Sequence, residues 1–153
     1  MRKEKSCGAI LFRKQEEAPV NRKQNPVRKQ NPVKYLLLHY TAGHWDFPKG
    51  AQEKNESEEQ TAAREVKEET GITDIGLVKG FKETIKYFYK YQEDGEETVY
   101  KEAIFFLAQT KAKDVKISSE HIGYVWASYD KTYKKLTYNN SKELLRKAAG
   151  FII

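Results

Sequence analysis

The chain has 153 residues, 39% of them apolar and 33% charged, and its 28 lysines and arginines exceed its 22 acids to give a net charge of +6. That is length and apolar content for one modest core, read as a single domain over residues 1–153, and it excludes global disorder. The longest apolar stretch, Ala103–Ala108, is far short of the ~20 residues of a membrane span, and the lone Cys7 excludes an internal disulfide framework or a cysteine-built zinc site.

Met1-Arg2-Lys3-Glu4-Lys5 leads into no apolar secretion segment, so a reducing cytoplasm is the expected compartment. Residues 6–12 and 34–40 read as strands, the second apolar enough to be buried on both faces. Between them Arg22–Val27 is repeated letter for letter by Arg28–Val33. Its prolines block a helix or a central strand, so residues 14–33 are expected to form a polar loop inserted in a hairpin. The loop is either a tolerated duplication or a basic arm (Arg22, Lys23, Arg28, Lys29) for a polyanion.

Ser57 and Gln60 have the spacing of a capping box, Glu58 and Glu59 suit the positive end of a helix dipole, and Gly71 suits its end. These signals predict a helix over 58–70. In residues 81–91, Ile85, Tyr87, Tyr89 and Tyr91 fall on one strand face. Asp94-Gly95 marks a turn, and 98–109 reads as the partner strand. A short strand at 124–127 and a helix over 141–149 follow, with Ser141 as cap, Leu144, Leu145 and Ala148 on the apolar side and Gly150 as stop. The fold class is α/β (α+β), a mixed sheet sandwiched between two main helices.

The predicted helix carries Glu65, Glu68 and Glu69 at i, i+3 and i+4, which places them on one side. Like charges at that spacing repel, so a helix selected only for stability would interleave lysines. The bland reading is a solvated acidic face. The chemical one is an oxygen-donor site for Mg²⁺ or Mn²⁺, which commonly bridges substrate phosphates.

Gly50, Glu56 and the run Arg64-Glu65-Val66-Lys67-Glu68-Glu69-Thr70-Gly71-Ile72 together match the box of the Nudix hydrolases at every defining position. Asn55 stands where many members have glycine; asparagine also tolerates the left-handed backbone such a turn needs. The resemblance implies an enzyme that cleaves a nucleoside diphosphate linked to another group. It implies metal ligation by Glu65 and Glu69 with help from Glu68, a Glu56–Arg64 pair that holds loop to helix, and a metal-facing carbonyl at Gly50.

Outside the box the chain is most similar to asymmetrical diadenosine tetraphosphate hydrolases. In His44-Trp45-Asp46-Phe47-Pro48-Lys49-Gly50 the resemblance turns His44 and Lys49 toward the phosphates, with Trp45 read as core. In the stretch from Gly80 it makes Tyr87 an adenine-stacking residue, ahead of Tyr89 and Tyr91. In Ser118-Ser119-Glu120-His121 it makes Glu120 a further ligand or the base for water, with His121 beside the substrate. Tyr124 is the expected second aromatic of the base clamp and Trp126 is read as core; Glu102 is the rival base.

The implied reaction is Mg²⁺- or Mn²⁺-dependent cleavage of diadenosine tetraphosphate to ATP and AMP, with no membrane and no obligate protein partner. The alternatives are a Nudix hydrolase of 5′-triphosphorylated RNA, or less directly of diphosphoinositol polyphosphates or nucleoside diphosphate sugars, and a Nudix-fold binding module without turnover. The complete set Glu56, Arg64, Glu65, Glu68 and Glu69 speaks against the last.

Overall fold

The computed structural model describes residues 2–15, 32–91 and 97–152, with the backbone alone at 89–91 and 97. The strands are β1 (Arg2–Lys14), β2 (Val33–Tyr40), β3 (Trp45–Asp46), β4 (Lys49–Ala51), β5 (Gly76–Tyr91), β6 (Glu97–Gln109) and β7 (His121–Ala127). The helices are α1 (Glu58–Thr70), α2 (Tyr129–Lys135) and α3 (Asn139–Ala149). All seven strands join one mixed sheet in the order β3-β2-β1-β6-β5, with β4 added to β1 and β7 to β2. Among the described residues no helix is long and apolar enough to cross a membrane.

The centre of the sheet is the parallel pairing of β1 with β6, running from Arg2↔Val99 to Phe12↔Gln109. Both strands are covered on both faces, which is why their sequences read as continuous apolar runs rather than as alternations. On one face Ile10, Phe12, Leu37, Phe105 and Leu107 pack with Leu136, Leu144, Leu145 and Ala148 of the α2–α3 layer. On the other Ala9, Leu11, Leu36 and Leu38 pack with Val66 of α1, and Cys7, Ile104 and Phe106 with Ala62.

One edge of β1 is divided between two partners. Phe12–Lys14 pairs with Val33–Tyr35 of β2, whereas Ser6–Gly8 pairs with Lys49–Ala51 of β4. At the junction the Ala9 amide bonds the Pro48 carbonyl at 3.2 Å. Gly8 is required there, because a Cβ on it would lie 2.2 Å from the Pro48 oxygen. The division admits the Pro48–Gly50 segment into the middle of the sheet and brings it beneath α1.

Helix α1 has the predicted bounds and the predicted caps. The Ser57 hydroxyl accepts from the Gln60 amide at 3.1 Å, the Gln60 side chain accepts from the Ser57 amide at 2.9 Å, and Gly71 takes φ 75°. The C-terminal helices differ from expectation. Helix α2 is an additional short element over Leu136, and α3 begins at Asn139 rather than at 141. Ser141 is not its cap: it is buried inside the helix and donates to Asp46 Oδ1 at 2.9 Å. The base of the inserted loop is a hairpin, closed by Gln15 N to Pro32 O at 3.0 Å. Its repeat with Arg22, Lys23, Arg28 and Lys29, and the Asp94-Gly95 turn, lie outside the described residues.

Candidate active site

Two groups of side chains meet at the Lys49-Gly50 dipeptide, one from each face of the sheet. On the α1 face the helix buries Ala62, Glu65, Val66 and Glu69 along one stripe. The three carboxylates expected on one side of the helix differ in burial. Glu65 and Glu69 share the buried stripe, while Glu68 is solvent-facing and meets Arg64 Nη1 at 3.2 Å through both oxygens.

Arg64 ties loop to helix. Its Nε and Nη2 donate to Glu56 Oε2 and Oε1 at 2.7 and 3.0 Å, its Nη1 to Glu65 Oε1 at 2.8 Å, and its Nη2 to the Ala51 carbonyl at 2.8 Å. Glu56 also accepts from the Glu53 amide and the Thr61 hydroxyl, both at 3.0 Å. Arg64, and next the Glu53 amide, hold the Glu56 carboxyl down to about 2. Asn55, just before it, has φ 71°, the left-handed turn expected from the residue type.

Glu65 lies directly over Gly50, where an added Cβ would come within 2.0 Å of its Cδ. Only glycine leaves room for the carboxylate. Glu69 is 3% exposed and accepts one bond, from the Lys49 amide at 3.2 Å. Burial, and secondarily the neighbouring Glu65 charge, push it up to about 8. Burial likewise raises Glu65, against the pull of Arg64.

Glu120 and His121 reach this group from the turn before β7. Ser118 organises that turn: its Oγ lies 2.9 Å from His121 Nδ1 and accepts from the Glu120 amide at 3.3 Å. His121 is buried, lowered by that burial, and its Nε2 has no hydrogen-bond partner among the described residues. The same Nε2 is 3.8 Å from Glu69 Oε2. Glu69, Glu120 and His121 offer ligand atoms that all lie within 4.8 Å of one another. A buried carboxylate whose charge is disfavoured by its surroundings, next to Glu120 and an unpartnered imidazole nitrogen, is a donor set that a divalent cation would satisfy.

On the α2–α3 face a cavity of about 480 Å³ is lined by His44, Asp46, Lys49, Tyr87, Lys101 and Tyr138, with Ile85, Ala103 and Phe105 as its apolar floor. His44 stacks on Tyr40 at 4.4 Å and faces Tyr138 at 5.5 Å, and Tyr40 in turn packs edge-on against His121 at 4.5 Å. The aromatic chain thus connects the cavity to the carboxylates. Burial lowers His44 below its ordinary range. Lys101 is lowered by burial and by the Lys49 charge, and neither lysine has a carboxylate within ion-pair distance among the described residues. Two lysines lining one space without an ion-pair partner there favour an anion.

Of the residues expected to touch substrate, His44, Lys49 and Tyr87 line this cavity and His121 stands one aromatic ring behind it. Tyr124 does not reach it. It pairs with Leu38, whose side chain packs on the α1 face, and is 42% exposed there. Tyr138, at the N-cap of α3, lines the cavity together with Tyr87 instead. Trp126 packs at the edge of the α1-side core, and Trp45 is partly buried between His39, stacked at 4.2 Å, and the Lys135 ammonium. Glu102 meets the Tyr100 hydroxyl at 3.4 Å, and the side chains of Tyr89 and Tyr91 lie outside the described residues. Lys101 carried an unused signal: a lysine in phase with Ala103, Phe105 and Leu107 on the core face. Tyr138 carried none.

A profile of the NUDIX domain matches residues 12–148. The chain belongs to the Nudix hydrolase family. Nudix relatives are similar to it over most of its length. A bis(5′-nucleosyl)-tetraphosphatase [asymmetrical] of Sus scrofa is 30% identical over 97% of this chain and 95% of its own. One of Caenorhabditis elegans is 33% identical over 78% and 86%. The crystal structure of a C. elegans Ap4A hydrolase binary complex superposes with a TM-score of 0.75, at 29% identity, covering 97% of this Nudix chain and 96% of the other.

Proposed function

We propose that this Nudix hydrolase is a divalent-metal-dependent pyrophosphohydrolase that cleaves diadenosine tetraphosphate to ATP and AMP by attack of water on phosphorus. The observation that carries the reading is the continuity of two opposite chemistries across Lys49-Gly50. The Lys49 amide bonds Glu69, the Gly50 Cα lies against Glu65, and the Lys49 side chain enters an aromatic, cation-lined cavity. The similarity to asymmetrical tetraphosphatases over both ends of the chain supports the same substrate class.

Glu65, Glu69, Glu120 and the Gly50 carbonyl would hold Mg²⁺ or Mn²⁺, with Glu68 available from its solvent-facing position. A divalent ion so held neutralises phosphate charge, makes the phosphorus more electrophilic and lowers the pKa of a bound water. Arg64 and Glu56 keep the helix and the loop that carry Glu65 and Gly50 in register. Glu120, on a turn fixed by Ser118, accepts the proton of the attacking water. The water oxygen stays with AMP, and ATP leaves with the electron pair of the broken P–O bond. Lys49, Lys101 and His44 face the phosphates, and Tyr87 with Tyr138 stacks the base, a sequence-tolerant contact of ~1–3 kcal/mol per base. His121 supports Tyr40 and Glu69 from behind. Residues 1–153 act as one catalytic domain, in the cytoplasm.

A second reading, pyrophosphate removal from 5′-triphosphorylated RNA, draws on a groove of about 530 Å³ that adjoins the cavity and is lined by Lys3, Lys5, Lys49 and Lys101. One experiment separates the two: product analysis in ¹⁸O-water with Mg²⁺, using diadenosine tetraphosphate beside 5′-triphosphate RNA. ATP plus AMP, with label in AMP alone, is the expected result. Pyrophosphate from the RNA with no dinucleotide cleavage would replace the first reading by the second.

A further inference from the structure

Among the described residues Asp46 is the single carboxylate lining the 480 Å³ cavity, and it sits there among His44, Lys49 and Lys101. It is 3% exposed. An acid so placed repels a polyphosphate, and its burial is costly unless it accepts hydrogen bonds. Its Oδ1 accepts two, from the Phe47 amide at 2.8 Å and the Ser141 hydroxyl at 2.9 Å. Its Oδ2 has no donor among the described residues. Half of this carboxylate is therefore anchored, and half is left for something that enters the cavity.

What enters next to it follows from the two ends of the space. Lys49 and Lys101 line both the cavity and the neighbouring groove along Gly50, Ala51 and Gln52. The phosphates of a nucleotide run out toward that end, where the α1 carboxylates lie. The other end is closed by Tyr138, Asn140 and Ser141 at the start of α3, over Ile85 and Phe105. Asp46 is bound to that end through Ser141. A base stacked between Tyr87 and Tyr138 presents its edge there.

We propose that Asp46 is a specificity residue that selects the base by its edge, its Oδ2 accepting a hydrogen bond from the exocyclic 6-amino group of adenine. Burial raises the Asp46 carboxyl, and Lys49, the Phe47 amide and the Ser141 hydroxyl oppose that by favouring its charged form. As a carboxylate it only accepts, so a base with a 6-oxo group in that place sets acceptor against acceptor and leaves both unpaired. Sites built to bond a ligand N–H discriminate strongly against the analogue that lacks it. Stacking by two tyrosines supplies affinity for any purine; Asp46 supplies the choice between them. This assignment rests on the proposed use of the cavity for a nucleotide.

The test is equilibrium binding of ATP and ITP, which differ at the 6-position, together with turnover of diadenosine and diinosine tetraphosphate. The unaltered protein is expected to favour ATP at least tenfold. In Asp46→Asn the Phe47 and Ser141 donors hold the amide oxygen, so the NH₂ faces the base and the preference falls at least tenfold, to parity or to inosine. Ser141→Ala removes the anchor and keeps the carboxylate, so it should leave the ATP/ITP ratio within about threefold. Equal binding of ATP and ITP by the unaltered protein, or an equal loss for both in Asp46→Asn, would overturn the proposal without needing any variant beyond that one. ATP selectivity with no cleavage of either dinucleotide would support base selection and remove the proposed reaction. Cleavage of both dinucleotides at equal efficiency would do the opposite.

Discussion

The two halves of the site are built by opposite means. The carboxylate half is centred on one helix and the loop before it, residues 50–69, which Glu120 and His121 join from the start of β7. That centre is held by local bonds: the capping box, the Glu56–Arg64 pair and the contact of Glu65 with Gly50. The cavity half is assembled from β3, β4, β5, β6 and the start of α3, with lining residues that run from His44 to Ser141. The first half concentrates like charge against burial, and it needs a partner to be comfortable. The second is already complementary to an anion with a flat aromatic end. A local cluster can store unfavourable electrostatics because its geometry is fixed by short-range bonds; a dispersed one has to be favourable at each wall to hold its shape.

Removing that stored repulsion is the hardest test of the contrast. Glu69→Gln should reduce turnover by at least ~10³-fold, while the metal-free protein at pH 8 becomes more stable, by about 1–3 kcal/mol, since a buried charge is removed. Thermal unfolding beside steady-state kinetics reads both, and a variant that loses stability along with activity would mean that Glu69 is structural. Next in size is Arg64→Ala, which leaves Glu56 and Glu65 unpaired. It should cost roughly 10- to 100-fold in activity, the usual scale for residues that orient a metal's ligands, and be largely insensitive to the base offered.

The cavity half predicts the converse. Tyr138→Ala or Tyr87→Ala should raise KM roughly 5- to 100-fold with a smaller change in kcat, whereas Tyr124→Ala, on the other face, should stay within about twofold. Equal effects of Tyr124→Ala and Tyr138→Ala on KM would redraw the cavity. The smallest expected effect is in the pH dependence of stability. Glu69 has its folded value raised to about 8, so the metal-free fold is favoured by acid there and loses stability as pH rises from about 4.5 to about 8. Glu56, held down to about 2, acts with the opposite sign, its contribution being lost as pH falls from about 4.5 toward 2. Glu56→Gln should flatten the acid limb alone, and Glu69→Gln the limb near neutrality, in denaturation series across pH.

The same contrast explains what the sequence discloses. Helix α1 is legible to the residue because its signals, Ser57, Gln60 and Gly71, act within one turn of the atoms they satisfy. The helical spacing of Glu65, Glu68 and Glu69 puts them on one side but does not disclose that only two of the three are buried. Ser141 has the chemistry of a cap, yet its hydroxyl serves Asp46, and nothing local distinguishes the two uses. Helix α2 has seven residues and no side-chain cap bond, so no periodicity marks it. Strands β3 and β4, of two and three residues, are set by their partners β2 and β1 rather than by their own pattern. Tyr138 becomes a cavity wall only because Thr137 is bonded to Trp45 across the α3 linker.

The parallel register of β1 on β6 also governs how the fold can be reached. Every rung from Arg2↔Val99 to Phe12↔Gln109 joins residues nearly a hundred positions apart. None of them forms until that whole span is closed, a loop entropy that rewards no contact on the way. Strand β4 and helix α1 can dock on β1 from one side early, but the opposite edge of β1 stays an open template until Gln109 is in place. During synthesis the acidic helix is therefore finished well before the sheet that completes its surroundings.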